Sequence, residues 1–165
     1  MSNYKIRTAL ARDFDRIFEI WLENQVIATG KSVERNMVEI FKKHLFHTFS
    51  LSNSHYYVAV SNSNKVVGWQ SLTPLFSNPN LSPYIAQSST YVDKDFLNND
   101  VGQSLFEYAY KEAKQIGIDH IYGWVKPDNT PSHKIAANFK HHKCLIPGSS
   151  SGNIPEFNIY VIVVE

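Results

Sequence analysis

The segment 86–116 constrains the fold more than any other part of this 165-residue chain. It has the pattern of a short strand, a polar turn and an amphipathic helix that is entered through Asn98, Asn99, Asp100 and Gly102. The first backbone N–H groups of a helix have no intrahelical partners, so they are suited to bind an anion such as phosphate. The segment therefore indicates a phosphate site at the helix start, and a plain strand-to-helix connection is the alternative.

Length and composition limit the class of protein. A chain of this length is expected to form a single domain, 1–165, with its own core. Its formal net charge of +1 gives no basic excess that would indicate binding to nucleic acid or to a membrane surface. The single cysteine, Cys144, excludes a multi-thiolate metal site, and no metal is expected. Without a signal-peptide pattern or a long apolar run, a cytoplasmic location is expected.

Apolar spacing predicts four helices and six strands. The first helix follows Asp13, a candidate N-cap, and ends near Gly30. The other helices are expected at 33–47, with Ile40 facing inward, and at 99–116 and 132–140. Strands are expected at 4–9, 56–60, 65–72, 85–92, 120–125 and 157–164. A mixed sheet flanked by helices is the economical packing for this order.

This order and several local motifs resemble the GCN5-related N-acetyltransferase superfamily, and within it the phosphinothricin-acetyltransferase-like branch. The motifs are Ile6-Arg7, Ala11-Arg12-Asp13, the hairpin of 57–60 with 66–69, Ser89-Thr90-Tyr91-Val92 and Lys126-Pro127-Asp128-Asn129. The resemblance implies an α/β (α+β) fold whose mixed, mostly antiparallel sheet has about seven strands and is flanked by about four helices. It also implies acetyl-CoA as co-substrate, bound in an opening between the fourth and fifth strands, and the family often forms dimers.

Carried over position by position, the resemblance implies the contacts of the cofactor. The pantetheine would pair with the backbone of Thr90, Tyr91 and Val92. The pyrophosphate would rest on the loop 97–102, whose family pattern is Arg/Gln-x-x-Gly-x-Gly/Ala. The side chains and backbone expected to contact the cofactor at this loop and at the last helix belong to Asn98, Asn99, Asp100, Gly102, Gln103, Asn129 and Ser132.

The sequence departs from the family pattern at four places. Leu97 and Asp100 replace the basic or amide residue and the inner glycine of the pyrophosphate loop, so a carboxylate would lie beside the pyrophosphate unless it turns outward. Gln87 stands where the branch has its glutamate base, and Ala136 stands where a tyrosine or histidine often protonates the leaving thiolate. Lys140-His141 replaces the Gly-Phe that closes the last helix.

The remaining candidates for chemistry are Gln87, Tyr91 and His133. Tyr91 is a candidate acid or a packed strand aromatic, and His133 is a candidate base or acid, or an exposed helix residue. Glu23 could meet a cationic amine. The aromatic residues that could line an acceptor pocket are Trp69, Tyr122 and Trp124.

Two hypotheses from different classes follow. The first is an N-acetyltransferase that moves an acetyl group from acetyl-CoA to a primary amine of a small molecule or amino-acid-like substrate, with water or a non-standard residue as base. The second is a protein of the same fold that has lost acetyl-CoA chemistry and serves as a binding or regulatory module, or catalyses a different reaction in the same cleft.

Overall fold

Residues 3–29, 31–97, 100–151 and 155–165 are described by the computed structural model of the chain. This part contains the strands β1 Tyr4–Thr8, β2 His55–Ser61, β3 Val66–Pro74, β4 Ile85–Val92, β5 His120–Val125, β6 His141–Ile146 and β7 Phe157–Val163. They form one seven-stranded sheet with the order β1-β2-β3-β4-β5-β7-β6. The expected α/β architecture with about seven strands is confirmed.

Four helices accompany the sheet in the described residues. They are α1 Phe14–Thr29, α2 Arg35–Phe49, α3 Val101–Ile116 and α4 Thr130–Ala137. Gly117 follows α3 with a φ of 80°, a left-handed conformation that glycine adopts readily and that ends the helix as expected. Within the described ranges, no helix has the length and apolar character that crossing a membrane requires.

The chain divides into two compact units, of which the first comprises Met1–Thr73 and Ser89–Ala109. Its core is rich in aromatic residues. Ile17 and Ile20 of α1 are fully buried in a cluster with Tyr56 and Trp69, whose rings lie 5.7 Å apart. Because successive strand residues face opposite sides of a sheet, Gly68 faces away from this cluster, toward α3.

The second unit comprises Pro74–Ser88 and Tyr110–Glu165. In it β4 pairs in parallel with β5, with Gln87 opposite Tyr122. β7 pairs antiparallel with both β5 and β6 and thus lies between them. Its alternate residues Asn158, Tyr160 and Ile162 are buried, so this strand supplies one side of the core of the unit.

Strand β6 is not predicted by sequence reasoning. Its residues, HHKCLI, show no apolar alternation, and the side chains from His142 to Leu145 are exposed. Its pairing with β7 runs from His141 opposite Ile162 to Ile146 opposite Phe157. Backbone pairing at the edge of the sheet therefore builds a strand that side-chain periodicity does not mark.

Several predicted helix boundaries and faces are wrong. Asp13 is not an N-cap: it ends a turn of 3-10 helix, where its carboxylate accepts a hydrogen bond from the backbone N–H of Leu10 at 2.7 Å. Ile40 is 56% exposed rather than inward. α4 begins at Thr130 and ends at Ala137, earlier than predicted, because Asn129 caps it. The breaks predicted at Gly30 and at 98–99 lie outside the described residues.

Asp93 is more deeply buried than Asp13, the other buried acid among the described residues of the first unit. It is 1% exposed, and its carboxylate pairs with Arg16 of α1, lies 3.2 Å from Lys65 Nζ and accepts from the backbone N–H of Asp95 at 3.0 Å. Burial alone would raise the pKa of Asp93. The hydrogen bonds from Asp95 and Lys65 and the charges of Lys65 and Arg16 outweigh it, so the pKa lies below its ordinary value.

We expect Asp93→Asn to lower the free energy of unfolding at pH 7 by about 2 kcal/mol, less than for a fully buried pair because Lys65 is half exposed. The pKa of Asp93 is lower in the folded state than in the unfolded state, where it is about 3.9. The stabilisation is therefore fully present above pH 3.9 and is lost as the pH falls through the folded-state pKa. Urea unfolding at pH 7 and pH 3 measures it.

The matched control is Asp15→Asn, which breaks the exposed pair with Lys42 and is expected to change the free energy of unfolding much less, because solvent screens that pair. If Asp93→Asn lowers the free energy of unfolding by the same amount at pH 3 as at pH 7, the ion pairs of Asp93 are not the cause of the loss.

Candidate active site

The end of β4 is fastened to its neighbours in the first unit. The hydroxyl of Thr90 donates to the side-chain oxygen of Gln70, which is fully buried in β3. Asn24 of α1 donates its side-chain amide to the carbonyl oxygen of Val92 at 3.0 Å. Asn24 and Gln70 were not identified from the sequence, because single polar residues on apolar elements give no signal of their partners. The backbone expected to pair with pantetheine is thus held in place.

Tyr91 lies within the aromatic cluster of the first unit. Its ring is 4.8 Å from that of Trp69, and its hydroxyl is hydrogen-bonded by Trp21 and Gln25. Because an indole N–H can only donate, Tyr91 accepts from Trp21. Burial raises the pKa of Tyr91, and the two hydrogen bonds offset part of the rise. Packing as a strand aromatic is therefore observed, and its role as an acid stays a prediction.

Three buried side-chain polar atoms of the first unit have no hydrogen-bond partner among the described residues. They are Oε2 of Glu23, Oγ of Ser54 and Nε1 of Trp69, and Trp69 is 1% exposed. The other carboxylate oxygen of Glu23 lies 3.6 Å from Arg16 Nη1. Since buried polar groups are rarely left without partners, Oε2 of Glu23 offers an acceptor and Nε1 of Trp69 offers a donor for a ligand.

The residue before α3 has an unusual backbone. Asp100 is exposed with a φ of 55°, and its carbonyl accepts from the N–H of Ser104 at 2.9 Å. Its exposed side chain thus stands at the start of the helix. Gln103 in the first turn of α3 donates to Glu107 at 2.8 Å, so its side chain is engaged along the helix. The expected contacts Asn98 and Asn99 lie outside the described residues.

Gln87, Tyr122 and Trp124 belong to the second unit. Gln87 and Tyr122 are paired in register, and both are half-buried. Tyr122 and Trp124 share one face of β5 because they are two residues apart. Trp124 is half exposed, with its ring 4.8 Å from that of Phe157. The aromatic face expected for an acceptor exists, but its use stays a prediction.

Two of the residues expected to contact the cofactor, Asn129 and Ser132, lie together at the start of α4. The side-chain oxygen of Asn129 accepts from the backbone N–H of Ser132 at 3.3 Å and caps the helix. Next to them, both ring nitrogens of His133 have protein partners, one of them the hydroxyl of Tyr160. Tyr160 was missed because it lies in an apolar strand.

Ala136 is buried and offers no proton. In the described part of the chain, no three His, Cys, Asp or Glu side chains are placed to hold a metal ion.

Comparison with known proteins gives one family and many similar folds. The model of the Acetyltransferase (GNAT) family matches residues 9–139. No curated protein sequence matches the chain. A GCN5-related N-acetyltransferase from Kribbella flavida has a TM-score of 0.79 at 18% identity, over 98% of this chain and 98% of that chain. An N-acetyltransferase from Staphylococcus aureus Mu50 has a TM-score of 0.76 at 21% identity, over 99% and 100%.

A third similar structure is a GNAT-superfamily phosphinothricin acetyltransferase from Sinorhizobium meliloti, determined in complex with acetyl-CoA. It has a TM-score of 0.76 at 17% identity, over 98% of this chain and 89% of that chain. At these identities the similarity establishes the fold.

Close packing at Gly68 gives a prediction for the start of α3. A Cβ atom at this position would lie 3.0 Å from Val101 Cγ1, 3.2 Å from Leu105 Cδ1 and 3.2 Å from the carbonyl oxygen of Tyr91. We expect Gly68→Ala to lower the free energy of unfolding by about 2 kcal/mol, as overpacking does. The matched control is Gly123→Ala in β5, where a Cβ would meet nothing within 4 Å. Equal losses in the two variants, measured by urea unfolding, would show that close packing is not responsible.

Proposed function

Because this chain belongs to the acetyltransferase (GNAT) family, we propose that it transfers the acetyl group of acetyl-CoA to a primary amine of a small molecule or amino-acid-like compound. The observation that carries the proposal is the backbone of Asp100. It has a φ of 55° at the position where the family pattern has its inner glycine. Asp100 thus has a backbone conformation that glycine adopts readily.

The backbone groups of this chain suit the binding of acetyl-CoA, whereas the charge of Asp100 opposes it. When bound, acetyl-CoA would supply the acetyl thioester. In the first unit, the backbone of Thr90 and Tyr91 and the first turn of α3 at Gly102 are proposed to hold it. The carbonyl of Val92 accepts from the side-chain amide of Asn24. The carboxylate of Asp100 opposes the pyrophosphate by about 1 kcal/mol if both are solvated.

In the second unit, Asn129 and Ser132 are proposed to contact the cofactor. The side-chain oxygen of Asn129 already accepts from Ser132. Its amide NH₂ group and the hydroxyl of Ser132 therefore remain as hydrogen-bond donors for the ligand.

The acceptor is proposed to bind through two of the three buried atoms of the first unit that have no described protein partner. Oε2 of Glu23 would accept from an ammonium group, and Nε1 of Trp69 would donate to a carbonyl or carboxylate oxygen. A compound that carries an amine and a carboxylate would satisfy both. In the second unit, Tyr122 and Trp124 stay candidates for contacts with apolar groups of a substrate.

Proton transfer must use groups other than the family's base and acid. The amide of Gln87 cannot take a proton at neutral pH, so we assign the base to water hydrogen-bonded to its oxygen. Tyr91 remains the candidate acid for the departing thiolate. A phenol is protonated at neutral pH, and burial, which raises the pKa of Tyr91, makes it a weaker proton donor than an exposed tyrosine.

A second candidate function is a binding or regulatory module that has lost the acyl donor. The carboxylate of Asp100, the amide of Gln87 and the methyl group of Ala136 favour it, because each replaces a group used in acetyl transfer. The two candidates differ in whether acetyl-CoA binds and whether free thiol is released.

We expect millimolar acetyl-CoA to raise the melting temperature of the protein, since a ligand that binds only the folded state stabilises it. Release of CoA thiol in the presence of a panel of amino acids and small amines then identifies the acceptor. Binding with no thiol release for any amine would favour the module. A folded protein whose melting temperature is unchanged at millimolar acetyl-CoA would reject acetyl transfer.

We expect Asp100→Asn to tighten acetyl-CoA binding about fivefold, which corresponds to removing about 1 kcal/mol of repulsion. Asparagine tolerates positive φ, so the backbone is preserved. Isothermal titration calorimetry measures the Kd. The control Asp15→Asn removes an exposed carboxylate from the start of α1 and is expected to leave the Kd unchanged. An equal gain in both variants would mean that net charge, rather than the loop, sets the affinity.

A further inference from the structure

The side chain of His133 connects three segments of the second unit. Its Nδ1 lies 2.7 Å from the hydroxyl oxygen of Tyr160 in β7. Its Nε2 lies 3.0 Å from the carbonyl oxygen of Lys126 and 3.2 Å from that of Pro127, in the turn that precedes α4. The backbone N–H of His133 donates to the carbonyl of Asn129 at 3.2 Å. The imidazole therefore joins β7, the turn and the first turn of α4.

These contacts determine which ring nitrogen of His133 carries the proton. Carbonyl oxygens only accept hydrogen bonds, so Nε2 carries the proton and donates to the turn. In a neutral imidazole Nδ1 then accepts, and Tyr160 donates its hydroxyl proton. Tyr160 is 5% exposed, so this bond also satisfies a buried hydroxyl. Both nitrogens are thus used to build the site.

The ring of Tyr160 is itself held on several sides. The rings of His133 and His141 lie 5.6 Å and 5.2 Å from it, and Lys143 Nζ lies 5.5 Å from its centre. His141 is fixed in turn, because its Nδ1 donates to the carbonyl of Phe139 at 2.9 Å. The hydroxyl of Tyr160 therefore presents a fixed anchor to His133.

We propose that His133 is a positioning residue, which holds Asn129 and Ser132 in the conformation that binds acetyl-CoA and carries no proton in the reaction. The turn it bonds ends at Asn129, whose side chain caps Ser132. A shift of this turn would move both residues together. The inference rests on the proposed function, because acetyl-CoA is the ligand whose affinity it concerns.

The variants His133→Gln and His133→Leu separate positioning from proton transfer. A glutamine amide can donate to the turn and accept from Tyr160, but it takes up no proton at neutral pH. Leucine does neither. We expect His133→Leu to raise the Kd and the KM for acetyl-CoA about tenfold and to change kcat by no more than about twofold. For His133→Gln we expect the Kd and the KM to stay within about threefold of the original values. His142→Leu, at an exposed position of β6, is the matched control and should change neither constant.

Loss of kcat in both variants with an unchanged KM would overturn the proposal, because His133 would then carry a proton. An unchanged Kd in His133→Leu would also overturn it. The ¹⁵N resonances of the imidazole report the hydrogen bonds directly. We expect the neutral Nε2–H form, and we expect the Nδ1 resonance to shift in Tyr160→Phe. Observation of an Nδ1–H form would overturn the proposal. If the original protein binds no acetyl-CoA, the proposed function is rejected, and the ¹⁵N resonances then test the bonding of His133 separately.

Discussion

The ion pair between Arg16 and the buried carboxylate of Asp93 fixes the place where β4 ends and the following loop begins. The backbone N–H of Asp93 donates to the carbonyl of Val67 in β3 at 2.9 Å, and Asn24 bonds the carbonyl of Val92 one residue earlier. Helix α1 thus holds this strand end through two side chains eight residues apart. A displaced Asp93 would leave a buried charge without partners, so the arrangement has few alternatives of similar energy.

The sequence predicts the fold where burial and periodicity agree. The strands at 85–92 and 120–125 are predicted with their observed bounds, because they are apolar or alternating and end at polar turns. The resemblance to the GNAT family is confirmed over 9–139. Strand β6 escapes prediction because its pairing depends on backbone hydrogen bonds with β7, which no local pattern of its exposed side chains reveals. Ile40 shows the reverse error, an apolar residue at helical spacing that faces solvent.

The sequence proposes positions for the candidate site but does not reveal how their side chains are bonded. Sequence comparison with the family pattern identifies Gln87, Asp100 and Ala136 as departures, since aligned positions need no knowledge of contacts. It cannot show that His133 bonds Tyr160, which lies 27 residues away, or that Tyr91 is hydrogen-bonded by α1. Those partners are set by how the elements pack, and for His133 they favour a structural role although an imidazole looks reactive when seen alone.

The left-handed backbone of Asp100 has a consequence for the history of the loop. The codons for aspartate and glycine differ at a single middle base, so one mutation interconverts the two residues. Because the backbone before α3 already has a φ of 55°, glycine would enter this position without any rebuilding of the loop. At this position the chain is therefore one base change away from the glycine of the family pattern, and its backbone there already has a conformation that glycine adopts.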